Sequence, residues 1–278
     1  MCKIVTMSDS IHGKLNRLLA ELGDTTLVSS RWLRSHGYSS SLVARYVGSG
    51  WLVSPARGVY MRNGGHLQWS GVVRSLQVSD QLSIYVGGRF ALALQGHEHY
   101  LRLGEAGTIT LYGTGTPGWL HQLALRERFE YCGKSPFDYS LPLLTSDLSD
   151  EKLLEQGLTW YESGSGAGAL VSSTPERAIV ELCESVADAT MVYEVDALIQ
   201  GMATLRPRRV THMLRHCKSI KAKRLFLALS ERHQHAWLSH VSLEDVELGR
   251  GNRALVPGGR LHPTYLITLP RDLDDHLG

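Results

Sequence analysis

The sequence lacks the features that mark membrane, secreted and disulfide-stabilised proteins. It contains no run of 18 apolar residues, and residues 1–7 pass directly into the polar Ser8-Asp9-Ser10, so neither a membrane span nor a secretory signal is predicted. Only 4 of the 278 residues are cysteine, and they are scattered without a C-x-x-C pair, which is typical of a reducing compartment and argues against a zinc ribbon or finger. We therefore expect a cytoplasmic protein that holds no metal and no cofactor, with its thiols buried as small apolar side chains.

The chain also has almost no net charge, at +2, but its charges are unevenly distributed. Residues 1–65 carry 8 basic and 3 acidic side chains, whereas residues 66–144 carry 6 of each. Residues 145–200 carry 2 basic and 11 acidic side chains, and residues 201–278 carry 13 and 7. The basic ends indicate a polyanionic partner, with the acidic stretch between them kept on another face.

The first 65 residues have the pattern of a winged helix-turn-helix. An apolar stripe at helical spacing, ended by Gly23, predicts a first helix that buries Ile11, Leu15, Leu18, Leu19 and Leu22. A second helix is predicted from the Ser29-Ser30 cap to Gly37, and a third from a serine cap at 39–41 to Gly48. Residues 51–53 and 59–62, joined by the turn at 54–58, predict a β-hairpin.

The third helix is the predicted DNA-reading element, because a short helix fits a major groove about 12 Å wide. Its polar face and the arginines around it give the predicted DNA-binding residues. These are Ser39, Ser40, Ser41 and Arg45 on the third helix, with Ala44 beside them, and Arg31, Arg34, Arg57 and Arg62 for backbone phosphates. The alternative is a protein adaptor without DNA binding, in which these are ordinary solvated charges, since winged helices serve both purposes.

After the Gly64-Gly65 linker, residues 66–278 predict a larger mixed α+β domain with a sub-boundary near residue 172. Helices and strands alternate up to a hairpin whose tip is residues 163–168. Four helices follow in succession, the first starting at Ser173-Thr174-Pro175-Glu176 with capping-box spacing. A β-rich end is predicted from Val246 to Leu269.

Several stretches together resemble the AbiEi family, the antitoxins and transcriptional regulators of type IV (AbiE) toxin–antitoxin systems. Two fragments lie in the wing, Ser49-Gly50-Trp51-Leu52 and Ala56-Arg57-Gly58-Val59-Tyr60, and the others follow in order. They are Val86-Gly87-Gly88-Arg89, Ala91-Leu92-Ala93-Leu94-Gln95-Gly96-His97, Pro117-Gly118-Trp119-Leu120, Ser173-Thr174-Pro175-Glu176-Arg177-Ala178, Lys223-Arg224-Leu225-Phe226-Leu227, His235-Ala236-Trp237 and Leu248-Gly249-Arg250-Gly251-Asn252-Arg253.

The resemblance implies that the winged helix binds inverted repeats in the promoter of its own operon and represses it. It also implies that the C-terminal domain counters a separately encoded nucleotidyltransferase toxin, without a stable complex between the two proteins.

Residues 201–230 contain eight basic side chains and no carboxylate, which predicts a second basic surface. Its members are Arg208, Arg209, Arg215, Lys218, Lys221 and Arg224. Such a surface could bind phosphates or act as a contact that antagonises the toxin's nucleic-acid substrate, and the alternative is a solvated face that balances the acidic helices.

Enzymatic chemistry is not indicated by any motif. His212 and His216 lack the glutamate of H-E-x-x-H, and residues 164–168 lack the end of a P-loop. Glu176, Glu181 and Glu184 are expected to be solvated acids on a helix surface. We therefore expect a non-enzyme, while a nuclease-like alternative predicts carboxylates and a lysine around a divalent metal in the C-terminal domain.

Overall fold

The computed structural model describes residues 7–97, 107–137, 148–164 and 166–273, with side chains from residue 13 onward. Its first part contains three helices and a three-stranded antiparallel sheet of order β1-β3-β2. The elements are α1 (Met7–Glu21), β1 (Val28–Ser29), α2 (Ser30–Ser35), α3 (Ser40–Gly48), β2 (Leu52–Ala56) and β3 (Val59–Arg62). Leucines of α1 pack with residues of α2, α3 and β2 into a small core of their own. This arrangement of helices and strands is compatible with the expected winged helix-turn-helix, although the side chain of Ile11 lies outside the described part.

A five-stranded mixed sheet forms the centre of the second part, in the order β6-β5-β4-β8-β7. Its strands are β4 (Ile84–Val86), β5 (Thr108–Gly113), β6 (Arg128–Cys132), β7 (Leu158–Glu162) and β8 (Ala169–Ser173). β4 pairs antiparallel with β5 and parallel with β8, and β5 pairs parallel with β6. β7 and β8 form the predicted antiparallel hairpin. The expected mixed sheet is confirmed.

Helices cover this sheet and continue beyond it. Three helices precede the hairpin of β7 and β8: α4 (Trp69–Arg74), α5 (Gly88–Leu94) and α6 (Asp150–Glu155). α4 continues as a π-helical turn at Ser75–Ser79. The predicted succession of four follows as α7 (Pro175–Ser185), α8 (Ala189–Gln200), α9 (Pro207–His216) and α10 (Ile220–His233). Cys183 and Cys217 are buried among them and Cys132 is partly exposed, while Cys2 lies outside the described residues.

The C-terminal end contains less regular strand than expected. Its strands are the two-residue β9 (Arg260–Leu261) and β10 (Thr268–Leu269), which pair antiparallel, with one isolated bridge between Arg253 and Ile267. Glycines with positive φ at 249, 251 and 258 turn the chain before longer strands can form.

The first part, called the head below, forms hydrogen bonds and apolar contacts with the second part. The Leu27 amide donates to Ser75 Oγ at 2.9 Å, and Ser29 Oγ donates to Asp80 Oδ1 at 2.5 Å. Leu27 and Val59 also belong to the large core of the second part. The proposed domain boundary at residue 65 therefore stays a prediction. None of the described helices is both long enough and apolar enough for a membrane crossing.

Candidate nucleic-acid interface

The third helix presents the side chains that were expected to face DNA. Val43 and Tyr46 bury its inner face, at 5% and 2% exposure, while Ser40, Ser41, Ala44 and Arg45 are exposed on the outer one. Ser39 has a local role, because its Oγ accepts from the Leu42 amide at 3.3 Å and caps the helix. The helix therefore offers solvent two hydroxyls, one methyl group and one guanidinium.

The arginines predicted to contact phosphates divide into two groups. Arg31, Arg34 and Arg57 line one cavity of about 520 Å³, in which α2 and the turn of the wing face residues 114–117 of the second part. Arg62 is not part of it and pairs with Asp24 across 2.8 Å. The first three arginines thus form one cationic wall on the side of the head that faces the second part.

Asp80 is the carboxylate that faces this wall. Burial raises the pKa of Asp80 above its usual range, against the lowering effects of the Ser29 hydrogen bond and of Arg31. Among the described residues that line this cavity, three guanidinium groups face one carboxylate, so the acid offsets only part of the positive charge.

Not all the residues expected in the second basic surface are exposed. The prediction that Arg224 belongs to it is wrong: its side chain is buried, and its guanidinium donates to the carbonyls of Leu248, Gly251 and Leu266. Lys221 donates to the carbonyls of Glu184 and Val186 and is partly buried. Arg215 is exposed and donates to the Glu244 carbonyl.

The other three members lie at separate cavities. Arg208 and Arg209 line a cavity of about 430 Å³ between α6 and α9. Lys218 lines a different cavity of about 730 Å³, together with Lys134 and Arg253, neither of which was predicted to be a site residue. Spacing along one helix could not reveal this grouping, because the three residues come from distant parts of the chain.

Arg177 lines the larger cavity and belongs to a buried ion pair with Glu181. Arg177 and Glu181 have side-chain exposures of 1% and 0%, and Arg177 Nε donates to Glu181 Oε1 at 2.8 Å. The same carboxylate accepts from Tyr85 Oη at 2.9 Å, the Gly88 amide at 3.0 Å and Ser173 Oγ at 2.9 Å. Burial strongly raises the pKa of Tyr85, and its phenol is a neutral donor here. The expectation of a solvated acid is wrong for Glu181, and also for Glu176, whose exposure is 3%.

Two of the fragments that carry the family resemblance meet at this ion pair. A Cβ atom at Gly87 would lie 2.4 Å from Glu181 Oε2, so the close approach of β4 to α7 requires glycine there. Ser173 and Arg177, from the other fragment, bind the same carboxylate. These fragments therefore match a structural cluster, and the face of α3 that is predicted to read DNA lies elsewhere in the chain.

The described residues offer no group of three or more histidine, cysteine, aspartate or glutamate side chains that could hold a metal ion. His212 and His216 contact each other, with 4.2 Å between ring centroids, and His212 Nε2 bonds to the Glu155 carbonyl at 2.7 Å. The carboxylate cluster that the nuclease alternative requires is thus not found in this part of the chain. The adaptor alternative predicts a large exposed apolar patch. The exposed large apolar side chains of the described part are Trp51, Val53, Val78, Tyr131 and Leu243, of which Trp51 directly precedes β2 and Val53 lies in it.

Sequence models of one family match most of the chain. The model described as the N-terminal domain of the AbiEi antitoxin transcriptional regulator matches residues 11–103. The model described as the AbiEi antitoxin transcriptional regulator of a type IV toxin–antitoxin system matches residues 106–270. Among solved structures, the crystal structure of the RV2827C protein from Mycobacterium tuberculosis has a similar fold, with a TM-score of 0.52 and 13% identity over 96% of this chain and 93% of that one. No curated protein matches the sequence. The chain belongs to the AbiEi family of antitoxins and transcriptional regulators of type IV toxin–antitoxin systems.

Proposed function

We propose that this protein binds double-stranded DNA at inverted repeats in the promoter of its own operon and represses transcription. The observation that carries the proposal is the exposed outer face of α3, in a winged-helix head with a strongly basic composition. Family membership supports it, since the family consists of transcriptional regulators.

Arg45 is the base reader on this face, because a guanidinium bonds both the O6 and N7 atoms of guanine. Ser40 and Ser41 supply short hydroxyl contacts, and Ala44 supplies a methyl group that packs against thymine. With one strong reader, direct readout is sparse, and contacts to phosphates and to DNA shape provide much of the affinity.

Binding to a duplex from the upstream region of the gene tests the DNA half. Loss of the Arg45 guanidinium in Arg45→Ala should cost about 1–3 kcal/mol on the operator and relax the preference for it over random DNA. Arg17→Ala is the matched control, since Arg17 is an exposed arginine on another helix of the head. Binding is followed as an electrophoretic shift of the duplex. A duplex whose mobility the wild-type protein leaves unchanged at low salt would rule out DNA binding, and equal losses of affinity in the two variants would rule out α3 as the reading helix.

We further propose that the second domain counters a nucleotidyltransferase toxin without bond-making chemistry of its own and without a stable complex. Family membership as an antitoxin supports this role. Co-expression with the nucleotidyltransferase encoded beside the gene is the test, and growth should be rescued. Continued growth arrest at matched expression would remove the antitoxin role, and co-purification of the two proteins would contradict the expected absence of a stable complex.

A further inference from the structure

Two cavities meet at one loop between the head and the second domain. Residues 114–117 line the cavity of about 520 Å³ that contains the head arginines, and Thr114 also lines the cavity of about 730 Å³ above the buried ion pair. The two cavities are therefore neighbours on either side of this short loop. We call them together the basic groove.

Cations outnumber carboxylates in the groove. The head contributes Arg31, Arg34 and Arg57, and the second domain contributes Lys134, Lys218 and Arg253, all six exposed. Among the lining residues that the structure describes, the carboxylates are those of Asp80 and Glu184. Asp80 accepts from Ser29, and Glu184 accepts from Ser219 and pairs with Lys221 across 3.9 Å.

Arg177 also lines the groove but adds little to its net charge, because Glu181 is bonded to it within the protein. Six like charges along two adjoining cavities repel one another, so an anion bound along them is stabilising. The neutral lining is suited to the same task, since Thr114, Ser135 and Thr116 carry hydroxyls that donate to phosphate oxygens.

The cations come from both domains, and this distribution favours an extended polyanion. A small phosphorylated molecule fills one cavity and leaves the cations of the other unmatched. Duplex DNA carries one phosphate per about 1.7 Å of helix axis, so a bound duplex places phosphates opposite both sets. The head, which carries the reading helix, supplies three of the six cations.

We propose that the basic groove binds the phosphate backbone of the DNA on the flank of the site read by α3, with Lys134, Lys218 and Arg253 as contacts of the second domain. The proposal rests on the DNA-binding function proposed above and extends its footprint beyond the winged helix. The second domain then contributes to operator affinity without reading bases.

The test is the salt dependence of binding by the full chain, measured by fluorescence anisotropy. One duplex contains the inverted repeats alone, and a second is extended by about one helical turn, 10 bp, on each side. The groove variant is Lys134→Gln/Lys218→Gln/Arg253→Gln. The control variant Arg126→Gln/Arg128→Gln/Lys152→Gln removes the same charge from exposed residues that line neither cavity.

On the extended duplex, the plot of log affinity against log salt has a negative slope. The magnitude of this slope should be smaller by about 2.7 in the groove variant, or about 0.9 for each lost phosphate contact. Between 50 and 200 mM salt, wild-type affinity then falls about 40-fold more than that of the variant. The control variant should change the slope by less than about 1, and on the short duplex the groove variant should match wild type.

Equal slopes for the groove and control variants, with wild type still binding the operator, would overturn the groove and leave the reading helix intact. ATP binding is measured on the same proteins as a probe for a nucleotide pocket. If ATP binds the wild type but not the groove variant, and the DNA slope is unchanged, the groove is overturned in favour of that pocket. If wild type shows no salt-dependent binding to either duplex, the DNA-binding function itself fails and the groove fails with it.

Discussion

Breaking the buried Arg177–Glu181 pair should destabilise the protein far more than breaking a surface pair of the same spacing. In Arg177→Met, the Glu181 carboxylate stays at 0% exposure and keeps three neutral donors but loses its cation. An uncompensated buried charge of this kind costs about 3–5 kcal/mol. The variant also loses the packing of the guanidinium 4.7 Å above the Tyr85 ring and 4.5 Å above the Phe137 ring.

The chain contains its own matched control. Arg17 and Glu21 have the same i,i+4 order and a similar Nε–Oε1 distance of 3.1 Å, but their side-chain exposures are 76% and 35%. Arg17→Met should therefore cost less than about 0.5 kcal/mol. The contrast between the two variants isolates burial from sequence pattern.

Urea unfolding followed by tryptophan fluorescence measures both effects at constant m-value. The double variant Arg177→Met/Glu181→Gln should cost no more than about the larger single variant, because it leaves no unpaired charge in the interior. Residues that share one network normally couple by about 0.5–3 kcal/mol. If the losses in Arg177→Met and Glu181→Gln add up to the loss in the double variant within about 0.5 kcal/mol, the two side chains are not coupled and the reasoning is refuted.

Three further predictions follow from burial. Gly87→Ala should cost about 1–3 kcal/mol, because its Cβ would overlap Glu181 Oε2, and Gly118→Ala, which meets no atom within 4 Å, is the control for the shift in urea midpoint. Arg224→Met removes the donor to the carbonyls of Leu248, Gly251 and Leu266, and each carbonyl left without a donor costs about 1–3 kcal/mol unless water replaces the bond. The C-terminal segment of this variant should therefore be cleaved faster in limited proteolysis than that of the wild type. Because burial raises the pKa of Asp80, its ionisation costs stability as the pH rises from the unfolded pKa through the folded one. The melting temperature of Asp80→Asn should therefore be higher than that of the wild type at pH 7 and equal to it at about pH 3. A variant that melts below the wild type at pH 7 would contradict this prediction.

The head could be predicted in detail because its signals are local. Ser29 and Ser39 cap α2 and α3 as expected, and Gly37 follows α2 with a φ of 82°. Each of these signals acts over three or four residues, so no distant contact was needed to place the helices.

The buried pair could not be predicted, because its local pattern is the same as that of a surface pair. Arg177-x-x-x-Glu181 and Arg17-x-x-x-Glu21 do not differ in spacing or chemistry. The difference arises only when β4 brings Tyr85 and Gly88, more than 90 positions away in sequence, against α7. Arg31, Arg34, Arg57 and Lys218 were predicted as separate binding residues, but their grouping in the basic groove was not, because these cations meet only through the tertiary fold.

The buried pair and the basic groove touch the same cavity but should affect different measurements. Glu181 cancels the charge of Arg177 inside the protein, so the pair contributes to the shape of the cavity wall and not to its attraction for phosphate. Loss of the pair should therefore lower the free energy of unfolding, and in whatever fraction remains folded the salt slope of DNA binding should stay near the wild-type value. Loss of Lys134, Lys218 and Arg253 should do the reverse, because exposed cations contribute little to stability but release counterions when they meet DNA. A variant of either set that shifted both quantities together would mean that the wall of the cavity moves when DNA binds.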